Sequence, residues 1–167
     1  MLSNNAFKEV IKNTNLFAFD LIIRNYNNEI LVVKRNNSPA KGYFFVPGGR
    51  VFKNETLNNA FIRILREELS LEISSFTDIS IKGLYNHKYD DNVFDSSGFN
   101  THYIVYAIEL NLKENIIIQL DKQHNSYQYF SIDVLLKEKL VHQYVKNYFL
   151  TNIDNIFNIP NKILELN

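Results

Sequence analysis

Cysteine is absent from this 167-residue chain, which excludes disulfide cross-links and thiolate chemistry. Net charge is missing too. Eighteen basic and 18 acidic residues sum to +0 at neutral pH, so there is no electrostatic footprint for nucleic acid or an anionic membrane surface. Small molecules are the expected partners. The chain has no run of about 18 apolar residues that would span a bilayer, and its opening, "MLSNNAFKEVIKNT", lacks the apolar core of a signal peptide. Both absences point to a cytoplasmic protein. No Pro/Gly/Ser-rich linker and no internal repeat divides the sequence, so one domain over residues 1–167 is expected.

Strand-like and helix-like patterns alternate along the chain. A short amphipathic helix is expected over about residues 4–12, followed by strands in "LFAFDLII" and "EILVVKR" joined by the turn signal "NYNN" as a hairpin. A short aromatic strand, "YFFV", leads into Pro47, Gly48 and Gly49, a turn whose lack of side chains lets the backbone approach a ligand. Asn54 or Thr56 can cap the helix that follows. Strands then appear in "SIKGLYNH", "THYIVYAIEL" and "SYQYFS", with the acidic loop "KYDDNVFDSSGFN" between the first two and a helical region over about 132–150. This order fits an α+β fold, a mixed sheet sandwiched between helical layers.

The helix after the glycine turn carries acids in an unexpected place. With about 100° per residue and Leu57 at zero, Ala60, Phe61, Ile64 and Leu65 fall within a stripe of roughly 140°. Glu68 lies near 20°, in the middle of that stripe, with Glu67 at its edge and Arg66 facing solvent, on the same rough reckoning. An unpaired carboxylate there costs several kcal/mol unless an arginine, a proton or a metal ion neutralises it. The residues alone leave two readings open: a structural partner for Arg63 or Arg50, or a metal ligand.

Residues 49–71 resemble the Nudix box, a glycine, five residues, Glu, seven residues, then Arg-Glu-aliphatic-X-Glu-Glu-X-Gly-aliphatic. Gly49, Glu55, Arg63, Leu65, Glu67, Glu68 and Leu71 stand at its positions. Ile64 replaces the Glu after the arginine, and Ser70 replaces the late glycine. The resemblance implies a Nudix-type α/β/α sandwich whose box carboxylates bind Mg²⁺ or Mn²⁺ beside a diphosphate. With Ile64 in place of an acid, fewer metals are expected.

Further stretches, "KRNNSPAKGYFFVPGGRV", "NHKYDDN", "THYIV" and "DKQHNSYQYF", are similar to the GDP-mannose mannosyl hydrolase branch of that superfamily. That resemblance implies attack of water on the anomeric carbon with inversion, releasing GDP and free mannose, GDP-glucose being a possible second substrate. It also implies one Mg²⁺ per subunit, which Mn²⁺ can replace, held by Glu68, Gln123 and the backbone carbonyl of Gly48. His124 takes the place of the general base, Arg35, Arg50 and Tyr103 those of diphosphate contacts, and Asp20 that of a residue near the nucleotide. Phe7 is a candidate to stack on the base, and His87 stands where the family also has His. A homodimer is implied as well. Taken singly, each has a plainer reading: a solvated charge for an arginine, strand packing for Tyr103, a loop side chain for His124, and a solvated loop for Asp90, Asp91 and Asp95. Two other functions stay open, a Nudix pyrophosphohydrolase cleaving at phosphorus and a silent nucleotide-sugar sensor.

Overall fold

The computed structural model describes residues 2–114, 124–150 and 156–157, with the backbone alone described at 124, 125, 156 and 157. Helix α1 (Asn4–Asn13) begins where Ser3 Oγ accepts the N–H of Ala6, one of the donors left unpaired in a first turn. Strand β1 (Leu16–Arg24) then turns into β2 (Ile30–Arg35), antiparallel to it with Arg24 opposite Ile30. The expected "NYNN" turn is built by Asn25, whose Oδ1 accepts the N–H groups of Asn27 and Glu29. The chain continues through β3 (Phe44–Phe45), β4 (Gly48–Arg50) and α2 (Leu57–Leu69), then a 3-10 turn (Ile73–Ser75). Strands β5 (Phe76–Tyr89), β6 (Thr101–Leu112) and β7 (His124–Phe130), helices α3 (Ile132–Lys137) and α4 (Gln143–Asn147), and strand β8 (Ile156–Phe157) complete it.

The sheet runs β3-β2-β1-β6-β5-β8, with β4 added to β1 and β7 to β2. It is mixed: β1 and β6 pair in parallel from Leu16 opposite Tyr103 to Arg24 opposite Asn111, while the other named strand pairs are antiparallel. Central β1 is buried on both faces, and its period of two sends alternate residues to different cores. Phe19, Leu21 and Ile23 join Phe61, Ile64, Leu65 and Leu69 of α2. Ile22 joins Leu135 of α3, Val145 of α4 and Tyr148 just after it. Helices thus cover both faces of a mixed sheet, the α/β/α sandwich expected from the order of elements. Asp20, on the same face of β1 as Ile22, is directed at the α3–α4 layer.

Helix α2 shows why its boundaries fall where they do. Thr56 caps it, Oγ1 accepting from Asn59 N at 3.2 Å, while Asn54 sits in the left-handed region at φ 66°. At the other end Ser70 adopts φ 55°, ψ 35°, and the N–H groups of Ser70 and Leu71 return to the carbonyls of Arg66 (3.0 Å) and Leu65 (3.2 Å). This left-handed stop usually belongs to glycine, the residue of the box pattern here, so Ser70 retains the geometry at a cost. Left-handed φ costs an L-residue roughly 1–2 kcal/mol, and glycine gives back part of that gain as extra unfolded-state entropy. Ser70→Gly should therefore stabilise the fold by about 0.5–1 kcal/mol in urea unfolding. A lower midpoint in the variant would show that the serine is not strained.

Candidate active site

The turn after β3 lies against β1 with no space to spare. Leu21 N donates to Pro47 O at 2.8 Å, and Gly48, Gly49 and Arg50 pair with Asp20, Phe19 and Ala18. A β-carbon on Gly48 would stand 2.4 Å from Phe19 O and 2.7 Å from Asp20 Oδ1, a clash with backbone that no rotamer relieves. A β-carbon on Gly49 would meet Ile64 Cγ1 at 3.0 Å. The glycines let one backbone touch β1 on one side and α2 on the other.

Arg63 fastens the turn to the helix. Its guanidinium donates to both oxygens of Glu55 (Nε 2.7 Å, Nη2 2.9 Å), to Glu67 Oε2 (2.9 Å) and to the carbonyl of Arg50 (2.8 Å). The bidentate pair pulls the Glu55 pKa down, and Glu55 Oε2 also accepts Phe52 N at 3.0 Å. The box spacing of Glu55 and Arg63 is therefore a clasp, and the pairing of Arg63 with Glu67 follows the helical i, i+4 rule. Glu68, expected on the apolar face, is buried at 9% exposure, and Ile64 beside it is buried at 1%.

Phe7, Asp20, Arg35, Gly48, Arg50, Glu68, His87 and Tyr103 all line one cavity, together with Glu67, Phe45 and Tyr89. Residues from α1, β1, β2, β4, α2, β5 and β6 thus meet, although 96 positions separate Phe7 from Tyr103 in the sequence (103 − 7). Arg35 Nε donates to Pro39 O at 2.8 Å, and its guanidinium faces the Phe45 ring at 5.9 Å. The Arg50 guanidinium lies over the Phe7 ring at 3.9 Å, so that ring, a candidate for base stacking, carries a cation on one face. Burial lowers the Arg50 pKa, with Tyr103 acting against that and the charge of Arg63 adding to it.

Asp20 lines the cavity with partners that no motif marked. Tyr148 donates its hydroxyl to Asp20 Oδ2, and the Tyr148 hydroxyl oxygen lies 3.3 Å from His87 Nε2. Since the single hydroxyl proton goes to Asp20, His87 is the Nε2–H donor to Tyr148. Burial pushes Asp20 up to about 7, against the Tyr148 hydrogen bond and the charge of Arg35. Burial, then His142, holds His87 down to about 3, so the imidazole is neutral and its 4.0 Å approach to Asp20 is not an ion pair. Tyr144 stacks flat on His87 with ring centres 4.1 Å apart, and its hydroxyl bridges the backbone of Lys88. His87, read from the sequence as a sugar contact or a satisfied strand residue, is 2% exposed and hydrogen-bonded, yet lines the cavity.

Two expected site residues fall at the edge of what is described. Gln123 lies outside the described residues, and His124 is described through its backbone, which opens β7 opposite Arg35. Among the described residues no group of three or more His, Asp or Glu gathers as a metal cluster. Of the box acids, Glu68 is the buried one lining the cavity with the glycine turn, and Ile64 stands where another acid would. Such a set fits a single hard ion like Mg²⁺, which keeps waters, needs one or two carboxylates and completes its shell with phosphate oxygens.

Comparison with known proteins agrees with this architecture. The chain is 34% identical over 148 residues to the low-salt glycan biosynthesis protein Agl8 of Haloferax volcanii, covering 88% of each chain. A shorter match, 46% over 54 residues, covers 32% of this chain and 31% of the ADP-ribose pyrophosphatase of Methanocaldococcus jannaschii. Among solved structures, the MutT protein of Methanosarcina mazei Go1 superposes with a TM-score of 0.60 at 21% identity, covering 81% of this chain and 90% of that one. The NUDIX domain of Shewanella oneidensis NrtR, complexed with ADP ribose, superposes with a TM-score of 0.59 at 16% identity, covering 89% and 97%. The NUDIX domain model matches residues 14–150, from just before β1 to just beyond α4, and the chain belongs to the Nudix family.

Proposed function

We propose that this chain is a Mg²⁺-dependent Nudix hydrolase of GDP-mannose, cleaving the bond at the anomeric carbon to give GDP and free sugar with inversion. The observation that carries the reading is the cavity itself, which Arg35, Arg50 and Tyr103 line together with Glu68 and Gly48 while Ile64 fills an acid's place. Two guanidiniums and a phenol hydroxyl suit a leaving diphosphate, whose charge grows as the sugar departs. Glu68, the Gly48 carbonyl and Gln123 would hold the ion, which supplies charge neutralisation to the diphosphate. Water is activated by His124, a reading supported by the pairing of its backbone with that of Arg35, which lines the cavity. Asp20, carrying a proton up to near neutrality, offers hydrogen bonding without repelling the diphosphate. The relative's role in glycan biosynthesis supports a nucleotide sugar as the substrate class. The whole chain would act as one domain, as a cytoplasmic homodimer.

Cleavage at phosphorus is the competing reading, favoured by the partial likeness to an ADP-ribose pyrophosphatase. Incubation with GDP-mannose and Mg²⁺ in ¹⁸O-water separates the two. The expected products are GDP and mannose with the label in the sugar. GMP and mannose 1-phosphate, or label in either phosphate product, would reject attack at carbon in favour of phosphorus. No turnover would reject GDP-mannose as the substrate and favour a sensor or a different substrate.

His124→Ala should lower kcat by about 10² to 10⁴ with little change in KM, because a base acts in the transition state and not in ground-state binding. The wild-type rate should rise with pH through the neutral range as imidazole loses its proton, and the variant should lack that limb. A variant with unaltered kcat, or with the limb intact, would remove His124 from the mechanism.

A further inference from the structure

The acidic loop over residues 90–100 reads from sequence as solvated, but its centre is not. Asn92 is 0% exposed, and its amide uses its full capacity of two donors and two acceptor sites. Nδ2 donates to Ser96 O (2.7 Å) and Phe99 O (3.0 Å), while Oδ1 accepts Phe94 N (3.1 Å) and Ser96 N (3.4 Å). Thr101 Oγ1 ties the loop's end to Asp91 O at 2.8 Å. A loop closed upon one buried amide has a fixed shape.

That shape reaches both arginines of the cavity by separate routes. On one side Asp95 Oδ1 accepts the buried hydroxyl of Ser38 at 2.6 Å, and the next residue, Pro39, gives its carbonyl to Arg35 Nε. On the other side the Phe94 ring meets the edge of Phe7 at 5.9 Å, and Phe7 is the platform under the Arg50 guanidinium. Lys8, over the Phe94 ring at 5.0 Å, and Lys12, over the Phe99 ring at 5.5 Å, dock α1 on the same loop. We propose that this loop is the positioning element for both arginines, with Asn92 setting its shape, Asp95 supporting Arg35 and Phe94 supporting Arg50.

The inference rests on the cavity being a diphosphate site, so its test separates the two ideas. Calorimetric titration with GDP and Mg²⁺ is compared across the single variants Asp95→Ala, Phe94→Ala, Arg35→Ala and Arg50→Ala and the cross-pairs. Each loop variant should weaken binding about threefold to tenfold, the scale of one lost polar or aromatic contact. Asp95→Ala should add nothing once Arg35 is gone but retain its full effect in Arg50→Ala, and Phe94→Ala should show the mirror pattern. A loop variant whose effect is the same on either arginine background, or absent, overturns the proposal. If the wild-type protein does not bind GDP, the diphosphate reading fails, and the arginine Nε–H resonances then decide. Asp95→Ala must shift the Arg35 signal and spare that of Arg50, with Phe94→Ala the reverse, and any other pattern refutes the loop's role. Asn92→Asp, equal in shape but lacking both donors, should affect both arginines. Should it fail to fold, the two single-route variants at the loop's surface still decide.

Discussion

The contact between the Gly48–Gly49 backbone and strand β1 is the constraint from which the cavity is built. Because a side chain at position 48 would stand 2.4 Å from Phe19 O, only glycine permits the pairing that puts Arg50 and Asp20 on the same wall. The other side of the turn is limited by Ile64, and through it the position of α2 is set. Glu68, one turn further along that helix, arrives at the cavity as a consequence. Arg63 then holds turn and helix together through Glu55 and the Arg50 carbonyl.

A cavity so placed gathers charges that water would otherwise stabilise. Buried ions cost several kcal/mol each unless paired, so the site answers the cost group by group. Asp20 does so by retaining its proton to about 7 and by accepting from Tyr148. His87 stays neutral and donates a hydrogen bond to the Tyr148 hydroxyl. Arg50 rests on an aromatic face, and Arg35 donates to a carbonyl. A diphosphate entering the cavity would meet these donors already in place, which is how preorganised sites gain over water.

Local signals made much of this legible. The 3.6-residue period of α2 placed Glu68 inward and Arg66 outward, and the structure has the first buried and the second exposed. The spacing of Gly49, Glu55 and Arg63 was visible as a motif because all of it lies within one turn and one helix. Thr56 won over Asn54 as the cap because Asn54 is spent on a left-handed turn. What stayed hidden depends on long-range pairing: Tyr148 lies 128 positions from Asp20, and a tyrosine in an amphipathic helix reads as ordinary core. Asn92 was invisible for a related reason. Acidic and small neighbours make its loop look solvated, and only closure of the chain reveals that its amide is buried. Phe7 was legible as a candidate, but not as the seat of Arg50.

The central claim is that Glu68 and the glycine turn hold one divalent ion whose binding is coupled to a nucleoside diphosphate. Titration with Mn²⁺ followed by electron paramagnetic resonance, with and without GDP, measures both parts at once. One ion per chain is predicted, bound more tightly when GDP is present, with GDP in turn bound more tightly when the ion is present, as linkage requires. Glu68→Gln should lose the ion while the fold survives, since the amide keeps the shape and relieves a buried charge. Two or more ions per chain, or an affinity indifferent to both GDP and Glu68→Gln, would contradict it.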